Sequence, residues 1–218
     1  MAIVAICDLR APFGAARNQG SRPTCIAFAI SDAHAAARGP YVALSVDHLY
    51  WHAVRRTFGG HPDDGVTLDT ALEALLHDGQ CTDTGWPYQD PLPRELTTWL
   101  PPATATPVYR RGSTPLSTAT PTIIDRLDRG VPTVITLLLG ERFHQPVDGV
   151  IVPGDRDADT AYHAIVAVGH GLDGSDRYIL VRNSWGNFWG LKGHAWVHVD
   201  YLGPRIYAIV AMAEREAV

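Results

Sequence analysis

An α+β fold is what this sequence predicts, and three observations carry the prediction. Helical spacing of apolar residues dominates up to about residue 110, short β-branched runs dominate from about residue 111, and seven of the 16 prolines fall between residues 91 and 121, where the two patterns meet. With 218 residues and 46% hydrophobic content, the chain can fill one core or two small ones. The expected organisation is a single domain over 1–218, with a mainly helical lobe over about 1–110 and a mainly β lobe over about 111–218. A helical lobe followed by a β lobe invites a cleft between them.

The elements follow in order. "AIVAICDLR" near the start reads as a crossing strand. From Thr24, "TCIAFAISDAHAAARGP" is almost continuously apolar until Gly39-Pro40 stops it, so it predicts a buried helix with Cys25 in its first turn. A second helix is expected from Ser45 in "SVDHLYWHAVRR". A third follows Thr67, where Leu68, Ala71, Leu72, Leu75 and Leu76 share a face before Gly79. Residues 91–121 read as an irregular crossing. Thr120-Pro121 then opens a short helix with Ile123, Ile124 and Leu127 inward and Gly130 as terminator. After it, "VPTVITLLL", "HAIVAVG", "RYILVRNS", "HAWVHV" and "YAIVAM" predict an antiparallel sheet or barrel.

Composition removes several functions. The net charge is −5 and the longest basic runs are the pairs Arg55-Arg56 and Arg110-Arg111, so no nucleic-acid partner is expected. No segment approaches the ~20 apolar residues of a membrane span, and the N-terminus lacks the basic leader of a signal peptide. Membrane partners are therefore not expected. Three scattered cysteines, Cys7, Cys25 and Cys81, make no disulfide framework and no CxxC zinc pair, which points to a reducing cytoplasm. Asp155, Asp157 and Asp159 have calcium-loop spacing without the turn glycine or terminal Glu, and read as a solvated acidic loop. His48 and His52 share a helix face without a third ligand, and His194 and His198 are similarly unsupported. No metal or other cofactor is expected.

Three distant pieces carry the chemistry. Cys25 follows "NQGSRPT", His163 sits in "YHAIVAVGHG" 138 residues downstream, and Asn183 sits in "RNSWGNFWGLKGHAWV" 158 residues downstream. This order resembles the papain-like cysteine peptidases. The resemblance extends over "DLR", "NQG", "DGVTLDTALEALLHDGQCTDTGWPY" and "NSWGNFWG", all similar to bacterial-type members, and implies the papain-like two-lobed fold with its active-site cleft between the lobes. The chain departs from the family at the nucleophile, where Cys-Gly-Ser-Cys-Trp is usual and Arg22-Pro23-Thr24-Cys25-Ile26 stands here. Arg22 removes one partner of the family's disulfide, and Ile26 replaces a cleft Trp.

The implied roles make chemical sense. A thiol at a helix N-terminus beside an imidazolium is held below the free value of ~8.5, and Cys25 is placed for both effects. His163 would carry the shared proton to the leaving amine, while the Asn183 amide oxygen fixes the ring. Gln19 resembles the oxyanion-hole glutamine, a donor of the kind that contributes ~3 kcal/mol. Trp185 would shield the Asn183–His163 bond, and Trp189 accompanies it. Gly65, Val66 and Leu68 of "DGVTL" match the stretch that meets substrate beside an apolar P2 pocket, and Tyr162, just before His163, would narrow the cleft or cover the leaving-group side.

These features predict a thiol-dependent peptide hydrolase working through an acyl-enzyme. Acyl transfer or deamidation would use the same residues, and Pro23 and Ile26 keep a non-catalytic binding module open as the alternative. Alone, Cys25 would read as a small core residue, His163 as a structural histidine and Asn183 as a turn residue. The family usually has an N-terminal prosegment, whereas Cys25 lies 24 residues after Met1, so none is expected here. Control would then fall to a regulatory protein partner, a restricted peptide or protein substrate, or co-localisation.

Overall fold

A computed structural model describes residues 2–154 and 157–216. Strand β1 (Val4–Asp8) leads to helices α1 (Cys25–Ala37), α2 (Val46–Arg56) and α3 (Leu68–His77), strand β2 (Arg111–Leu116), helix α4 (Thr120–Asp128) and strand β3 (Thr133–Gly140). Then come the single turn α5 (Glu141–His144), strands β4 (Val150–Ile151), β5 (Asp159–Asp173), β6 (Asp176–Arg182) and β7 (His194–His198), the turn α6 (Val199–Leu202) and strand β8 (Ile206–Glu216). Among the described residues no helix is long and apolar enough to cross a membrane.

The contacts divide the chain into two compact units. One comprises Gln19–Ser113 with the chain from Met212; the other comprises Thr114–Ala211 with the chain up to Asn18. In the first, α1 is buried over nearly its whole circumference from Ala27 to Ala35, as its almost continuously apolar run predicts, with Ser31, Asp32 and His34 buried among the apolar residues. Helices α2 and α3 start where Ser45 and Thr67 accept the N–H groups of His48 and Thr70, the capping bonds those residue types supply. Buried Gln80 stitches the helices together. Its amide donates to the Ser31 hydroxyl and the Ser45 carbonyl, and its oxygen accepts from His34 Nδ1.

The second unit is built on a sheet ordered β2-β8-β3-β5-β6-β7-β4, with β1 paired to β5. β5 pairs antiparallel with β1, β3 and β6, as do β3 with β8 and β6 with β7, whereas β4 runs parallel to β7. Alternation along the strands puts Ile135, Leu137 and Leu139 of β3, Ile165 and Ala167 of β5, and Ile179 and Val181 of β6 into one core with α4, Phe143 and Trp189. Ile123 and Leu127 are fully inward, whereas Ile124 is only partly buried against that core.

Two expectations change. Residues 111–116 form β2 rather than irregular chain. Pro115 hid this strand, since proline cannot donate to a ladder, but β2 is the end strand of the sheet, where a missing donor is tolerated. Strand β5 also begins at Asp159, so His163 lies within a strand and not at its entrance.

Candidate active site

The nucleophile candidate sits at the first residue of α1. Its N-cap, Thr24, gives no side-chain bond to the helix, and the first turn holds no acidic residue, so the positive end of the helix is not offset locally. The Thr24 hydroxyl is engaged elsewhere: it donates to Tyr88 Oη at 2.8 Å, and Tyr88 in turn donates to the Gln19 carbonyl at 2.8 Å. Gln19, buried in the same unit, donates through Nε2 to the Arg22 carbonyl at 2.8 Å. Gln19 and Cys25 are thus joined through the residues between them.

The loop expected to meet substrate comes to the same place. Gly65 has φ +80°, a conformation that favours glycine, and a Cβ there would touch Pro23 at 3.6–3.7 Å, two residues before Cys25. Tyr50 tethers this loop by donating to the Pro62 carbonyl at 2.7 Å. Val66 and Leu68 are half-buried beside it.

In the other unit, His163 and Asn183 form a buried hydrogen bond of 2.7 Å between Nε2 and Oδ1. Oδ1 also accepts the Ser184 N–H at 2.8 Å, and two donors converging on one atom identify it as the amide oxygen. Nε2 therefore carries the proton, which leaves Nδ1 as the basic nitrogen of the neutral ring. His163 is 5% exposed, and burial pushes its pKa down to about 4 against the opposing pull of Asn183, with His144 lowering it further.

Aromatic rings surround this pair. Trp185 lies 4.8 Å from the His163 ring and Phe143 lies 6.0 Å from it, while His144 stacks on Trp185 at 5.1 Å and 11°. Trp189 packs on Phe143 at 5.1 Å and donates its indole N–H to the Phe143 carbonyl. At 7% exposure it is part of the core and presents little surface. Tyr162 goes the other way. Neighbours in a strand face opposite sides, so while His163 is buried, Tyr162 is 69% exposed and meets Tyr207 edge-on at 5.8 Å. By that alternation the Tyr162 ring stands on the face of β5 opposite to the His163 ring.

Three of the other histidines that share a spacing have structural partners. His48 donates from Nδ1 to the Gly79 carbonyl, His52 pairs with Asp78, and His198 caps α6. Among the described residues no three His, Cys, Asp or Glu side chains are grouped as a metal would require. Of the acidic loop, Asp155 lies outside the described residues. Asp157 is not solvated: its carboxylate is buried, accepts the Arg142 N–H and pairs with Arg205 at 3.1 Å.

Sequence reading missed four participants: Asp47, Tyr88, Phe143 and His144. Asp47 and Tyr88 lie 22 and 63 residues after Cys25, and only the fold brings them to its segment. Phe143 and His144 lie three and four residues after Gly140, which ends the run "VITLLLG", and the change there from an apolar run to mixed polar residues was the available signal.

Comparison with known proteins gives a consistent picture. The model of a family described as papain family cysteine protease matches residues 5–203. An uncharacterised peptidase C1-like protein of Acanthamoeba polyphaga mimivirus is 27% identical over 202 residues, covering 81% of this chain and 62% of the relative. Cathepsin R of Mus musculus is 26% identical over 192 residues, covering 82% of this chain and 54% of the relative. The chain therefore spans little more than half the length of these curated relatives. Among solved structures, xylellain, a cysteine protease from Xylella fastidiosa, superposes with a TM-score of 0.77 at 22% identity, covering 100% of this chain and 87% of that one. A structure from work on the mite allergens Blo t 1 and Der p 1 gives a TM-score of 0.79 at 22% identity, covering 98% and 72%. These likenesses establish the α+β papain-like fold.

Proposed function

The chain belongs to the papain family of cysteine proteases, and from that premise we propose that it hydrolyses peptide bonds through an acyl-enzyme on Cys25. The observation that carries the reading is the buried His163–Asn183 bond, which fixes the ring with Nε2 protonated and Nδ1 available for a thiol proton. In this reading Cys25 gives its proton to His163 Nδ1, and its thiolate adds to the substrate carbonyl carbon. The oxyanion is met by the Cys25 N–H and the Gln19 side-chain amide. The C–N bond then breaks as His163 hands its proton to the leaving amine. Water, deprotonated by the same nitrogen, adds to the thioester, and the carboxylic acid leaves as the thiol is restored. No cofactor enters. Gly65 beside Pro23 supports a peptide backbone running past this loop, with an apolar P2 side chain next to Val66 and Leu68.

The test is the pH dependence of alkylation by iodoacetamide, read residue by residue by peptide mass mapping. Burial raises the Cys7 and Cys81 thiols, so both should react slowly below pH 7. Cys25 should stay fast down to mildly acidic pH, and a blocked dipeptidyl aminocoumarin amide with an apolar P2 residue should be hydrolysed in parallel. Three cysteines sharing one profile, with no hydrolysis, would replace this reading by the non-catalytic one.

A further inference from the structure

Arg22 is an unusual residue to find buried. It is 5% exposed, three residues before Cys25, and its Nη1 donates to Asp47 Oδ1 at 2.6 Å and to the Gln89 carbonyl at 2.5 Å. Asp47 is fully buried in the first turn of α2, where a carboxylate suits the helix dipole, and its second oxygen accepts the Gln89 N–H at 2.9 Å. Nε and Nη2 of Arg22 meet no oxygen. Aromatic faces stand there instead, with Tyr88, Trp99 and Tyr50 centred 4.7, 5.3 and 5.5 Å from the guanidinium carbon.

A pair this deeply buried gives little net stability, because desolvating both charges consumes most of their attraction. What it does give is a fixed position. The Arg22 carbonyl accepts two hydrogen bonds, from Gln19 Nε2 and from the Thr24 N–H, both at 2.8 Å. Tyr88, packed on the guanidinium, holds the Gln19 carbonyl and the Thr24 hydroxyl. Every one of these bonds ends on the segment from Gln19 to Cys25.

We propose that the Arg22–Asp47 pair is a positioning device for catalysis: by pinning the Arg22 side chain it fixes the carbonyl that aims the Gln19 amide, and with Tyr88 it sets the start of α1. The inference rests on the proposed roles of Gln19 and Cys25. The link from ion pair to oxyanion donor runs through one backbone residue, so a loss of the pair reaches the reaction without any contact to substrate.

The test uses the full chain with Arg22→Met and Asp47→Asn combined, which leaves no unpaired buried charge and retains an acceptor for the Gln89 N–H. Arg22→Lys, keeping the charge but not the planar fork, is the second variant. Hydrogen exchange of the amides from 19 to 26 should quicken in the double variant while those of α3 do not change. With the aminocoumarin amide, kcat should fall by about tenfold or more with KM within about twofold, and Arg22→Lys should recover part of the loss. In a Gln19→Ala background the same double change should cost clearly less than in the parent, because one of the two groups it places is already gone. Unchanged exchange, or a kcat loss that multiplies fully onto Gln19→Ala, would overturn the proposal and leave the pair a packing feature. A parent that hydrolysed nothing would refute the proposed function instead, and exchange alone would then decide whether the pair anchors the segment.

Discussion

The unit carrying Cys25 and the unit carrying His163 hold a reactive group in place by different means. His163 is positioned by backbone: it is one rung of β5 opposite Leu137 of β3, and strand parity alone turns it into the core with Ile165 and Ala167. Asn183 likewise follows directly on β6, with its own N–H on the Gly193 carbonyl. Cys25 is positioned by side chains. The start of α1 has no side-chain cap, and the segment before it is fixed by Gln19, Arg22, Asp47 and Tyr88. The sheet therefore confines a substitution to the group removed, whereas the loop lets a distant substitution reach the nucleophile.

The largest effects should come from the two reactive groups themselves. Cys25→Ala and His163→Ala should each lower turnover of the peptidyl amide by ~10³-fold or more, measured with enzyme freed of parent contamination. Cys25→Ala also exposes the electrostatics of the partner. Without a thiolate nearby, burial should leave His163 titrating at about 4, neutral above that pH and charged below it. In the parent an adjacent thiolate would favour the imidazolium and raise that midpoint, so imidazole NMR titration of the two proteins should differ. Identical midpoints would dissolve the proposed ion pair.

Asn183→Ala comes next. It removes the acceptor that fixes the His163 tautomer but leaves the ring in its strand, so turnover should fall by ~10–100-fold with a smaller loss in alkylation of Cys25. A drop as large as that of His163→Ala would mean that the sheet does not orient the ring by itself, contrary to the comparison.

Much of both units was legible in the sequence, for physical reasons that also explain the gaps. The helices α1 to α3 announce themselves because Thr24, Ser45 and Thr67 each precede an apolar run at helical spacing, and β3 and β5 to β8 because β-branched residues fill pleated, buried positions. Residues 111–116 were hidden by Pro115, whose meaning depends on whether a strand is central or at the sheet's edge. In the site, Gln19, Cys25, His163 and Asn183 stand in recognisable local patterns. Arg22 and Asp47 do not, since charged residues 25 positions apart read as surface until the fold buries them together. That Tyr162 and His163 take opposite faces was not visible until β5 was seen to begin at Asp159, since adjacency in sequence means opposition only within a strand.

Acid should destabilise both units. His34 in the first and His194 in the second are each pushed down to about 4, chiefly by burial, His34 further by Arg111 and Arg38 and His194 by Arg182 and Arg10. Their unfolded value is ~6.5, so between these limits the unfolded chain takes up protons that the folded chain refuses. Stability is then complete above pH 6.5 and is lost as pH falls towards 4, by on the order of 1–3 kcal/mol per residue. Urea midpoints at pH 7 and pH 5 check the direction. His34→Gln, which retains a donor for Gln80, should flatten the slope, and an unchanged slope would remove His34 from the account.

The smallest effect should belong to Tyr162, and its smallness is informative. It is the residue next to His163 in the chain, yet it points from the opposite face of β5, is 69% exposed, and has Tyr207 as its ring partner. Tyr162→Ala removes one exposed aromatic pair, a change expected to alter stability by about 0.5 kcal/mol or less and kcat by less than about twofold. The neighbouring rung behaves differently because its side chain is in the core. If Tyr162→Ala instead raised KM several-fold, the exposed face of β5 would contribute to substrate binding, and placement by strand parity would no longer separate the two residues.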